Sequence, residues 1–347
     1  MAKLKSGFSN DENEYQRSNN YFLEARDLTM HFPAKTDSFG RPTSFIHAAD
    51  GVNFAVPKGK TMGVVGESGC GKSTVGKMLL NIYKPTSGSI LYEGRDITKL
   101  SARERKPYVK KMQLVWQDPY SSLDPRLRAG DIIAEGLDNF HLASSRSERE
   151  AKVERLMKMC GLFPEQANNY PHQFSGGQRQ RICIARALST DPEFVVCDEA
   201  VSALDVSIQA QIINLFKKIQ RELGITYLFV AHDLAVVRHI SDNIGVMYLG
   251  HLVEVTRATA LYAHPVHPYT QALLSAIPIT DYYAEKKRER ISLSGEVPSP
   301  LHVPSGCPFH PRCPYATEQC RQEVPRLREI APGHHVACHR AADHQEH

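Results

Sequence analysis

The sequence has no long apolar run. Across its 347 residues, no stretch approaches the ~18–20 apolar residues needed to cross a bilayer as a helix. The first twenty residues, Met1 to Asn20, are polar and charged. They lack the apolar core of a signal peptide and read as a disordered leader, so the chain is expected to stay in the cytoplasm. A strong excess of either charge is missing too. Forty-two Lys and Arg face 38 Asp and Glu, a formal +4, too mild for a nucleic-acid binder. In a reducing compartment the eight cysteines stay thiols, so any group of them points to metal or chemistry before disulfides. The length suits one large domain with an appendage, or two domains, and buries a core without staples.

What is present centres on residues 66–74: Gly66, Glu67, Ser68, Gly69, Cys70, Gly71, Lys72, Ser73 and Thr74. An apolar run, Met62 to Val65, precedes them. A helical pattern with Val75, Met78, Leu79 and Ile82 follows. Strand, glycine-rich turn and helix is the context of a phosphate-binding loop. Side chains would keep the backbone from wrapping closely around a phosphate. Successive N–H groups and the positive helix end then face the anion. Lys72 is expected to reach the outer phosphates and Ser73 to offer its hydroxyl to Mg2+.

Further strands are expected at Phe22–Ala25, Ser89–Tyr92, Met112–Trp116, Phe194–Cys197 and Tyr227–Ala231. Met247–Glu254 reads as a late hairpin. A polar insertion, Pro33 to Thr43, is expected ahead of a strand pair over Ile46–Val56. Residues 120–172 read as a charged helical insertion with Leu156, Met159, Cys160 and Leu162 on its apolar face. Ile208, Ile212, Leu215, Phe216 and Ile219 form a stripe suited to core packing. Strands alternating with helices predict an α/β fold with a mostly parallel sheet. Four strands end on polar groups: the phosphate loop, Gln117, Asp198-Glu199 and His232. Ligands of open α/β sheets bind at such carboxyl ends, so one site is expected to collect all four. There Asp198 is placed to hold Mg2+ opposite Ser73 and Glu199 to activate water. Gln117 is placed to contact metal or water, and His232 to bond the terminal phosphate. Ser175-Gly176-Gly177-Gln178, opening a helix, is a second anion-binding turn. One ATP needs only one such loop, so this turn suits a nucleotide held by a partner.

In this order the motifs resemble the full set of an ABC transporter ATPase over about residues 21–260. They are the phosphate loop, the Gln117 loop, Phe174 to Gln178, Val195 to Glu199, Ser202 to Asp205 and His232. The resemblance implies a P-loop NTPase fold with an antiparallel β subdomain and a helical subdomain near 118–175. It implies a head-to-tail dimer sandwiching two ATP, with Ser202 to Asp205 on the seam and the loop after Gln117 touching membrane subunits. Phe32 is the candidate for stacking on adenine. Ala200 stands where this family most often has proline, beside the glutamate without replacing it, so hydrolysis is expected to survive. A soluble cassette protein acting on DNA or ribosomes tends to carry coiled-coil insertions or two cassettes; this chain shows neither.

From 261 to 347 the tail resembles the C-terminal extension of dipeptide and oligopeptide importers, on His267 to Leu274, Leu293 to Glu296 and Pro298 to Pro300. The chain looks most like the second ATPase subunit, the DppF/OppF type. That implies a related first ATPase subunit as heterodimer partner, two transmembrane permeases and an extracytoplasmic peptide-binding protein. It places the chain peripherally on the cytoplasmic face of the inner membrane. Related systems carry nickel or oligosaccharides, and cargo contacts belong to other subunits. Cys307, Cys313, Cys320 and Cys338 are separated by five, six and seventeen intervening residues. Four thiolates suit zinc or an iron–sulfur cluster. None of the gaps has the short spacing usual for zinc, and the resemblance also favours 4Fe–4S; unliganded thiols are the remaining reading. His334, His335 and His339 are expected to be solvated.

Overall fold

In the computed structural model, which describes residues 21–39, 41–277 and 290–341, the chain opens with a long hairpin. Its strands are β1 (Tyr21–Thr36) and β2 (Pro42–Pro57), in register at Ala25↔Phe54 and Phe32↔Ile46. The expected leader, residues 1–20, lies outside the described residues. Residues 33–36 and 42–43 belong to these strands rather than to a separate insertion, and Ile46–Val56 lies in one strand rather than two. Beyond Thr29, β1 is paired by β2 alone, so Pro33 sits where an edge tolerates a missing N–H. β3 (Thr61–Val65) leads into the phosphate loop and helix α1 (Lys72–Leu79). Ile82, expected on the face of that helix, lies past its end and is exposed. β4 (Ser87–Tyr92) and β5 (Arg95–Asp96) complete an antiparallel sheet of order β2-β1-β4-β5.

The larger sheet, which already contains β3, gains its edge strand β6 (Met112–Val115) after α2 (Ala102–Lys111). Helices α3 (Ala129–Asn139) and α4 (Arg146–Met159) form the helical insertion, followed by α5 (Gly176–Leu188). Ile132, Ile133 and Leu137 of α3 and Ile182 and Cys183 of α5 share a core with Leu156, Cys160 and Leu162; Met159 packs on it partly exposed. β7 (Phe194–Asp198), α6 (Val206–Leu223), β8 (Thr226–Ala231), α7 (Leu234–Ile240) and β9 (Asn243–Tyr248) follow. On α6 the expected stripe is buried from Ile212 to Ile219, with Ile208 partly covered. Burying each such side chain contributes ~1.5–3 kcal/mol.

Strands β9, β3, β8, β7 and β6 run parallel. Every residue of β3, β7 and β8 is buried, as strands covered on both faces must be. β10 (His251–Arg257) closes the expected hairpin with β9. Past it the tail adds two strands, β11 (Arg328–Ala331) and β12 (His334–Val336), giving the order β11-β12-β10-β9-β3-β8-β7-β6. Neither strand was expected from sequence pattern.

Glu254 of β10 fastens the tail. Fully buried, it accepts from the N–H groups of Val266 and His267 at 2.9 Å and bonds His334 Nε2 at 2.7 Å. A buried carboxylate needs such partners. His334 and His335 are thus buried strand residues, not solvated ones. His339 stays partly exposed and bonds the Glu323 carbonyl. Among the described residues no helix is long and apolar enough to cross a membrane.

Candidate active site

Between β3 and α1 the loop closes on itself. Gly66 has φ +155° and Gly71 φ +106°; a Cβ on them would lie 2.1 Å from the Met247 carbonyl and 2.0 Å from the Ala48 carbonyl. Neither position has room for a side chain. Lys72, only 4% exposed, donates from Nζ to the carbonyls of Gly66 (2.8 Å) and Glu67 (2.9 Å). Cys70 is buried beneath it, and that burial pushes its thiol above the ordinary value. Ser68 and Gly69 form the exposed rim, while Ser73 and Thr74 sit half-buried in the first turn of α1.

The neighbouring strand ends converge here. Ser73 Oγ donates to Asp198 Oδ1 at 2.5 Å. Glu199 has φ +48°, a left-handed conformation that costs a non-glycine residue of order 1–3 kcal/mol and persists where surroundings enforce it. The enforcement is visible: its N–H donates to the Val230 carbonyl, and the N–H and hydroxyl of Ser202 donate to its own carbonyl. Its carboxylate accepts from Gln117 Nε2 at 2.8 Å and lies 3.9 Å from His232 Nδ1. Gln117 therefore meets Glu199, not the Ser73–Asp198 pair. Ala200, beside the glutamate, is buried.

Other expected residues lie apart. Ser175 caps α5 and forms a capping box with Gln178, leaving Gly176 exposed and Gly177 partly so. Asp205 caps α6 from an exposed position, accepting from the Ile208 N–H at 3.0 Å. Among the described residues, no hydrogen bond joins either to residues 66–74. Phe32, half-buried, meets Tyr83 edge-on at 5.2 Å.

Two family models match the chain: ABC transporter over residues 49–202, and oligopeptide/dipeptide transporter, C-terminal region, over residues 253–320. The oligopeptide transport ATP-binding protein AppF of Bacillus subtilis is 53% identical over 91% of this chain and 96% of its own length. The chain belongs to the ATP-binding subunits of ABC transporters. The di/tripeptide transport ATP-binding protein DppF of Pseudomonas aeruginosa is 49% identical over 92% of this chain and 97% of its own. A solved ATP-binding cassette dimer, in a post-hydrolysis state with ADP and Pi, superposes with TM-score 0.61 at 28% identity. It covers 68% of this chain and 98% of that one. The α/β cassette fold and ATP hydrolysis come with membership of this family.

This ABC subunit also carries contacts that sequence reasoning missed. Arg312, 8% exposed, donates from Nη1 and Nη2 to both carboxylate oxygens of Glu67, at 2.8 and 3.2 Å. Tyr269 Oη accepts from the Glu67 N–H at 2.9 Å. Its ring packs with Tyr248 and Phe309. The extension thus grips the phosphate loop directly. Nothing local in the sequence pairs residues 245 positions apart. Next to Arg312, Cys307, Cys313, Cys320 and Cys338 line one small pocket with Phe309 and His310. All four are free thiols. No three of them lie within 4.8 Å of one another. Burial pushes the Cys307 thiol up to about 12 and the Cys338 thiol to about 11.

Proposed function

We propose that the chain hydrolyses ATP at a site built on Lys72, Ser73, Asp198 and Glu199, and thereby drives import of dipeptides or oligopeptides. The observation that carries this reading is the convergence of the Ser73–Asp198 pair with Glu199, Gln117 and His232 beside the closed loop. Residues 66–74 would hold the phosphates by backbone N–H groups, with Lys72 placed against the loop for the outer ones. Ser73 and Asp198 are hard oxygen donors already in contact, which fits Mg2+; when bound, the ion neutralises charge on the phosphates. Glu199, its backbone fixed by Val230 and Ser202, takes a proton from the attacking water. Gln117 orients that carboxylate, and His232 bonds the terminal phosphate. Most of the rate comes from positioning and electrostatics.

Ser175 to Gln178 and Asp205 face solvent and complete the site of a second, related ATPase subunit. Phe32 would stack on adenine. The exposed apolar side chains Trp116, Tyr120 and Leu127 around the Gln117 loop suit docking on two permeases, which an extracytoplasmic peptide-binding protein supplies. On this reading residues 21–260 are the ATPase domain and the remainder an extension, peripheral on the cytoplasmic membrane face. We further infer that Cys307, Cys313, Cys320 and Cys338 are ligands of a 4Fe–4S cluster. Tetrahedral zinc would hold sulfurs ~3.8 Å apart, closer than any three of these thiols are set. Iron and acid-labile sulfide in anaerobically purified protein test this; bound zinc alone would refute it.

The test of the main reading is Glu199→Gln in the assembled complex. It should bind ATP, remain a closed dimer on a sizing column and lose ~100-fold or more in turnover. Normal turnover would sink the assignment.

A further inference from the structure

A second constellation lies in the antiparallel sheet. His31 of β1 and His47 of β2 are register partners, with ring centroids 4.1 Å apart. Asp50, three residues further on, reaches both. Its Oδ1 is 2.5 Å from His31 Nε2 and its Oδ2 2.9 Å from His47 Nδ1. One ligand atom from each residue lies within 4.8 Å of the other two. All three side chains are half-buried, 22–37% exposed, so the group is open to solution on one side. A fourth imidazole, His251 at the start of β10, is close enough to act electrostatically on Asp50. Burial lowers its proton affinity.

We propose that His31, His47 and Asp50 form a binding site for a divalent transition-metal ion of the zinc class. Two imidazoles and a carboxylate are a ligand set that zinc takes, with bonds of ~2.0–2.2 Å and a fourth position left for water or another side chain. Such bonds place neighbouring ligand atoms ~3–3.5 Å apart, so the three groups need only small adjustments. Softer thiolate-seeking ions and hard oxygen-seeking ions such as Mg2+ suit this donor set less. The framework is pre-organised, because two of the ligands stand opposite each other on a paired hairpin.

The location gives such an ion a structural consequence. The Asp50 N–H donates to the Gly250 carbonyl, and the Gly250 N–H donates to the Cys70 carbonyl in the phosphate loop. The His47 N–H donates to the Pro300 carbonyl of the extension. Hairpin, β10 and extension meet at this point, and an ion there would clip them together.

A hydrogen-bonded His–Asp–His bridge without metal is the competing account, and the two separate cleanly. The probe is Zn2+ alone, titrated calorimetrically into tag-free full-length chain, wild type against His47→Ala and Asp50→Asn. Thiols elsewhere bind equally in all three, so the difference isolates this site. Wild type should take up one more equivalent of zinc than either variant, or bind that equivalent ~100-fold more tightly. X-ray absorption of that equivalent should show nitrogen and oxygen neighbours only. Equal stoichiometry and affinity in wild type and both variants would overturn the proposal. So would sulfur in the shell of the zinc that the variants lose. His47 is the most exposed of the three, and metal-free circular dichroism checks that each variant folds; either one folded suffices.

Discussion

Replacing Arg312 with alanine tests the grip of the extension on the phosphate loop. The guanidinium and Glu67 form a two-point ion pair, with side chains 8% and 28% exposed. Removing one partner of a fully buried pair costs ~3–5 kcal/mol. Glu67 keeps some water contact, so screening reduces this to ~1–2 kcal/mol. Its carboxylate would then stand uncompensated in the loop that receives the phosphates of ATP. Since 1.4 kcal/mol is tenfold in affinity, Arg312→Ala should weaken ATP binding ~10-fold, measured by equilibrium titration of the full chain. Arg312→Lys should recover part of the loss, because a point charge replaces the fork. Adding Glu67→Gln to Arg312→Ala should recover more, because the unpaired charge is gone. High salt should narrow the gap between wild type and Arg312→Ala. If Arg312→Ala lowers the melting temperature but leaves ATP affinity within ~2-fold, the pair only fastens the tail and this reasoning fails.

Gly71→Ala should abolish ATP binding, because its Cβ meets a backbone carbonyl at 2.0 Å and φ +106° strains it further. Gly69→Ala, at φ +78° with open space around it, should cost only ~1 kcal/mol and keep binding; equal behaviour in titration and melting would contradict the packing argument. Glu193 offers a pH test. Burial opposes its ionisation, but hydrogen bonds from Lys111 and Tyr92 outweigh that and hold its carboxyl below the ordinary value. A folded-state value below the unfolded one stabilises above the unfolded carboxylate value of ~4.3, and the gain is lost as pH falls through the folded value. Glu193→Gln should therefore melt below wild type at neutral pH and match it in acid; a deficit that persists in acid would refute the pairing.

Much of this was legible because the informative residues are local. Gly66 to Thr74 names a backbone shape, and the polar groups ending β6, β7 and β8 lie within a few residues of apolar runs that mark them. The parallel core and the β9–β10 hairpin followed from the same runs. What stayed hidden depends on distant pairing. Pro33 to Thr43 looked like a loop because its strand residues are exposed and mostly polar or proline, so no apolar alternation marks the strands. His334 looked solvated because its partner, Glu254, is 80 residues away. Gln117 was expected on metal or water; its side chain bonds Glu199, a contact that depends on the spacing of β6 and β7. The four tail cysteines line one pocket, yet no three of their sulfurs lie within 4.8 Å of one another, and spacing alone left their ligand open. Arg312 carried no sequence signal, since one arginine beside a cysteine looks like any other.

The central claim is that this chain's hydrolysis of ATP drives peptide import. Uptake of a labelled dipeptide or oligopeptide into proteoliposomes, carrying the assembled complex with ATP on the side of this subunit, tests it most directly. Peptide should accumulate as phosphate is released, and both should stop with Glu199→Gln. Undiminished peptide uptake in that variant, or a complex that hydrolyses ATP while moving nickel or an oligosaccharide instead, would contradict it.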